Sequence, residues 1–107
     1  DIPPPRVRDE LVEGLARLRA ASIDVVLMDP QPLAGDHDDA GQAMAAMLEA
    51  TAAEAGVAVV PRGQLMRHWL GSGMFTVADL FVADRLHMSD AAHRCLAEQV
   101  RWHQALL

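Results

Sequence analysis

Two short β-branched runs, Val25-Val26-Leu27-Met28 and Val57-Ala58-Val59-Val60, flank a long helix-forming stretch and constrain the fold more than any other feature. Each run is too short for a stable helix and is closed by a proline, at Asp29-Pro30 and at Pro61. Bounded apolar runs of this kind read as buried strands of a parallel sheet. Between them, residues 40–55 are rich in Ala, Met, Leu and Glu, with Met44, Met47, Leu48, Thr51 and Ala55 along one helical face. Gly56 supplies the stop. A strand, a helix and a strand in that order predict an α/β fold, a parallel sheet with helices on both faces.

The flanking segments extend this pattern. Pro5 suits a first helical turn, and Val7, Leu11, Leu15 and Leu18 repeat at helical spacing, predicting a helix over 6–21. Residues 29–39, with two prolines, a glycine and four aspartates, form a loop in which Asp36 or Asp38 caps the following helix. A short helix spans 64–70, and Gly71-Ser72-Gly73 breaks it. Residues 74–88 lack a sustained period and read as an ordered loop with one helical turn at 78–80. Ser89 caps a last helix, with Asp90 in its first turn and Ala92, Leu96, Val100, His103 and Leu107 facing inward. A two-strand sheet is too small to stand comfortably alone. Further strands are therefore expected from the upstream part of the same domain or from a partner.

Composition narrows the function classes. A chain of 107 residues fits one domain or part of one. The net charge is −6 and every basic residue is Arg, which argues against a nucleic-acid partner. No apolar run reaches membrane-spanning length and no signal peptide is visible. The opening Asp1-Ile2-Pro3-Pro4-Pro5 reads as the middle of a longer protein, which leaves the compartment unknown and an extracytoplasmic parent open. The single Cys95 excludes an internal disulfide and reads as a small core residue. The acidic histidines, Asp36-His37-Asp38-Asp39 and the series His87, Asp90, His93, lack metal-ligand spacing; a solvated loop and a helix surface are the plainer accounts. Met28, Met44, Met47, Met66, Met74 and Met88 read as core filler, and Trp69 as packing the short helix onto the sheet. A nucleotide-binding module lacks its Gly-rich loop after a strand.

The segment that carries chemistry is Asp84-Arg85-Leu86-His87-Met88-Ser89-Asp90. An aspartate three residues before a histidine on one tight turn can reach back to the imidazole Nδ1–H. The tautomer is then fixed and Nε2 is left as a general base. On spacing alone, a surface histidine beside a helix-entry aspartate is the plainer reading. The context adds weight: the pair lies beyond the second strand and runs straight into the last amphipathic helix.

Together with Asp29-Pro30-Gln31-Pro32-Leu33 after the first strand, these residues resemble the C-terminal part of an SGNH (GDSL-type) hydrolase. That family's last block is an Asp-x-x-His followed by a helix, matched by Asp84, His87 and the run 89–97. Residues 17–28 are similar to the helix and strand that follow the family's Asn block, and 65–69 to a helix found in one bacterial branch. The resemblance implies a three-layer α/β/α, flavodoxin-like fold of which only the C-terminal part is present. It further implies serine ester hydrolysis of a small acyl or acetyl ester, with His87 as base, Asp84 orienting it, and no metal or organic cofactor. The family's nucleophile block and its oxyanion-hole Gly and Asn have no counterpart, and the chain contains no Asn at all. Among its serines, Ser72 alone tempts as a nucleophile, yet no strand leads into it as an elbow requires. The chain alone is expected to be inactive. Two smaller departures are Arg85, where the family usually has Gly, and Ala92-His93, where a Gly-aromatic pair is common. The alternative function is a noncatalytic α/β remnant that binds a partner through its exposed sheet edge.

Overall fold

A computed structural model describes residues 4–32 and 39–105. Their order is α1 (Pro4–Ala20), β1 (Val26–Met28), α2 (Asp39–Ala55), β2 (Ala58–Val60), α3 (Arg62–Gly71), α4 (Val77–Leu80) and α5 (Asp90–Ala105). The molecule is mostly helical, around a small parallel sheet in which Val26, Leu27 and Met28 pair with Ala58, Val59 and Val60. Both strands are shorter than the apolar runs that announce them. Only Val60 is buried, and Val26 to Met28 are half-buried, where full burial is expected from sequence. Among the described residues no third strand flanks the pair, so neither outer edge has a strand partner.

Alternation along the strands divides the packing. Val26, Met28 and Val60 join the main core with Met66, Trp69, Leu80, Phe81, Met88, Ala92 and Leu96, contributed by α3, α4, α5 and the loop before α5. Leu27 and Val59 project to the opposite face. Helix α1 packs on α2, and α2 on β2, with Leu15, Ala45, Thr51 and Ala52 buried outside the main cluster. Ala45 and Ala52 mark the innermost line of α2, while Met44, Met47 and Leu48 are half-buried; small residues at that line permit close helix approach. Leu18, expected on the inward face of α1, is exposed.

Chain reversals follow local chemistry. At the end of α2, Val57 N–H donates to the Ala52 carbonyl and Gly56 N–H to Ala53, with Gly56 at φ 69°. This paired closure requires a left-handed residue, which glycine adopts without strain. α1 ends the same way, with Ser22 at φ 59° in the glycine position.

Several expectations meet the structure directly. Trp69 lies in the core, edge-on to Phe75 with ring centroids 5.8 Å apart. Cys95 packs partly buried against the core, and His93 is exposed. Met66 and Met88 are core residues, but Met74 is 63% exposed in the turn after α3. Asp36, Asp38 and Leu107 lie outside the described residues, as does the side chain of His103. No described helix is long and apolar enough to cross a membrane.

Candidate functional site

The site is built on a closed loop between α4 and α5. Thr76 and Asp79 cap α4 reciprocally: the Thr76 hydroxyl accepts from Asp79 N–H, and the Asp79 carboxylate accepts from Thr76 N–H at 2.8 Å. The Thr76 N–H, then the Thr76 side chain, hold the Asp79 carboxyl below its usual range. At the other end, Ser89 Oγ accepts from Ala92 N–H at 3.1 Å and donates to the Asp79 carbonyl, so Ser89 caps α5 as its sequence predicts. Between these caps, Phe81 and Met88 form an antiparallel bridge, and both side chains are buried. Val82 N–H donates to the His87 carbonyl at 2.9 Å. The chain therefore leaves the core at Phe81, turns through 82–87 and re-enters at Met88.

The turn displays Asp84 and His87 together. Asp84 Oδ2 lies 2.5 Å from His87 Nδ1, and Asp84 Oδ1 accepts from Leu86 N–H at 2.9 Å and His87 N–H at 3.0 Å. The His87 side-chain bond, then the two backbone bonds, hold the Asp84 carboxyl down at about 2. An ionised carboxylate only accepts, so Nδ1 carries the proton and Nε2 of a neutral ring presents its lone pair. Nε2 bonds to no described residue, and the imidazole is largely exposed. Arg85 adopts φ 58° within the turn, with its N–H donating to Val82 O at 2.8 Å. A left-handed residue at that point accounts for glycine being the easier occupant. A shallow groove of about 430 Å³ adjoins the turn, lined by Val77, Ala78, Phe81, Val82, Ala83 and Arg85.

Two residues to which sequence reasoning assigned no role lie on the arm that leaves β1, and one of them bonds this loop. Asp29, directly after β1, is 1% exposed; its Oδ1 accepts Gly63 N–H at 2.8 Å and its carbonyl accepts Arg62 Nε at 3.0 Å. Burial lowers the pKa of Arg62, and the nearby Asp29 charge opposes that effect. Gln31, two residues on, donates from Nε2 to the Leu86 carbonyl at 2.5 Å. Their position at the carboxyl end of a parallel strand, where sites gather in such folds, is the signal that could have singled them out.

The serines take other positions. Ser72 follows α3 and its hydroxyl donates to the Trp69 carbonyl at 3.3 Å; Ser22 closes α1 and Ser89 caps α5. None is hydrogen-bonded to His87. Among the described residues, no three His, Cys, Asp or Glu side chains are grouped for a metal, and the 36–38 cluster lies outside those residues. This chain matches no protein-family profile, no curated protein and no solved structure.

Proposed function

We propose that the 84–88 turn supplies the general base of a serine ester hydrolase of the SGNH type, acting on a small acyl or acetyl ester. The observation that carries this reading is the ionised Asp84 bound to His87 Nδ1, with Nε2 exposed and bonded to no described residue. In this mechanism a serine from outside this chain attacks the ester carbonyl while His87 Nε2 takes its proton. The imidazolium, steadied by Asp84, returns that proton to the leaving alcohol. His87 then activates water to release the acyl group from the serine. Donors for the developing oxyanion also come from outside the chain.

The same reading makes the two strands part of a larger parallel sheet in a three-layer α/β/α domain. It is supported by the half-buried strands and by the division of their side chains between two faces. A second reading, a noncatalytic module that pairs with a partner through the sheet edge, draws on the same half-buried strands.

The test is hydrolysis of a short-chain 4-nitrophenyl ester by this chain, by its His87→Ala variant, and by the full protein encoded with its upstream sequence. The expected result is turnover by the full protein alone, falling by roughly 10²–10⁴-fold or more with His87→Ala. Full-protein turnover indifferent to His87→Ala overturns the base assignment. Activity of the isolated chain, dependent on His87, overturns the external nucleophile and makes Ser72 the next target. Inactivity throughout favours the partner-binding module.

A further inference from the structure

We propose that Gln31 is the positioning residue for the His87 base, an inference that rests on reading His87 as that base. The Leu86 carbonyl and the His87 N–H belong to one planar peptide unit. Asp84 Oδ1 holds the N–H edge of that plane at 3.0 Å, and Gln31 Nε2 holds the carbonyl edge at 2.5 Å. Gripping both edges fixes the rotation of the plane, and with it the direction in which the His87 side chain leaves the backbone. Asp84 alone cannot do this, because it travels with the turn. Gln31 reaches in from 55 positions away, on the arm that leaves β1.

That arm is suited to act as an anchor. Pro30 and Pro32 flank Gln31, each with a φ fixed by its ring, so little backbone freedom is lost in presenting the amide. Asp29 N–H donates to the Val60 carbonyl at 3.2 Å, and the buried Asp29 carboxylate ties the arm to the start of α3. Close packing of the Pro30 carbonyl over Gly63 leaves no room for a side chain there: a Cβ would sit 2.8 Å from that oxygen. By contrast, Leu86 and His87 are exposed and bury little apolar surface to hold the turn's tip. The placement of the imidazole therefore runs from the sheet through Asp29 and Gln31 to the Leu86–His87 peptide.

The test uses the intact chain labelled for ¹⁵N NMR, comparing wild type with Gln31→Ala and Gln31→Glu. Wild type is expected to show one His87 tautomer, protonated at Nδ1, and slow exchange of the Leu86 and His87 amides. Both variants lose the donor; each should give a mixed tautomer signal and roughly tenfold faster exchange of those two amides, the scale of one lost hydrogen bond. The core methyl spectrum should be unchanged in both. An unmoved His87 tautomer and unmoved amide exchange in a folded variant overturn the role of Gln31. Failure of the base reading shows elsewhere, as full-protein ester hydrolysis that ignores His87→Ala.

Discussion

Two aspartates near the same end of the molecule do opposite work. Asp29 is 1% exposed and gives its carboxylate to a backbone N–H of another element, at the start of α3. The Asp84 side chain is 46% exposed, and its partners are two N–H groups and an imidazole of its own turn. A buried carboxylate is costly unless it is bonded, so Asp29 belongs to the scaffold and its removal is felt throughout. An exposed carboxylate with local partners can leave the fold nearly untouched while setting the state of one histidine. The difference teaches that the residue holding the framework and the residue setting one exposed imidazole can be separated, while Gln31 bonds the arm after β1 to the turn that carries that imidazole.

The largest effect expected from breaking this contrast is that of Asp29→Ala. It orphans the Gly63 N–H in a buried position and leaves Arg62 without its facing charge, costing about 2–3 kcal/mol. Urea denaturation reads this as a lower midpoint at unchanged slope; a loss below about 0.5 kcal/mol would remove Asp29 from the framework. Gly63→Ala follows, since its Cβ would lie 2.8 Å from the Pro30 carbonyl oxygen. The arm must shift, at about 1–3 kcal/mol, and the Gln31–Leu86 bond should weaken with it, visible as faster exchange at Leu86 and His87.

Asp84→Ala sharpens the other side. Its melting midpoint should fall only slightly, because the pairing is exposed, while the His87 ring loses its fixed Nδ1 proton; a large cooperative loss of stability would place Asp84 in the framework after all. The smallest effect is in acid. Asp84 is held at about 2, below the 3.8 of a free aspartate, so its pairing contributes fully above about pH 4 and is lost as pH falls through about 2. Chemical shifts of the Leu86 and His87 amides should titrate with that low midpoint, and a midpoint near 4 would deny the hydrogen bonds to Asp84.

Much of the framework was legible because local rules and packing agree. Gly56 after an Ala-rich helix, Ser89 before Asp90, and the β-branched runs each have one favoured local outcome, and the fold adopts it. The Asp84–His87 contact was legible for the same reason, since three positions on one turn suffice to bring the groups together. The strands' partial exposure was not, because burial depends on neighbours that a run of Val and Leu does not name. Leu18 and Met74 show this limit too, each apolar and each left uncovered. Asp29 and Gln31 were hidden by sequence distance: their partners lie 34 and 55 positions away, and no periodicity encodes such a bond.

The most direct test of the central claim is chemical rescue of the full protein. His87→Ala should lower ester turnover by roughly 10²–10⁴-fold or more, and added imidazole should restore a measurable fraction of it, because a diffusible base then occupies the vacated place. Asp84→Ala should keep part of the activity and gain nothing from imidazole. Turnover unchanged by His87→Ala, or loss that imidazole cannot restore in a folded variant, would contradict the assignment of His87 as the base.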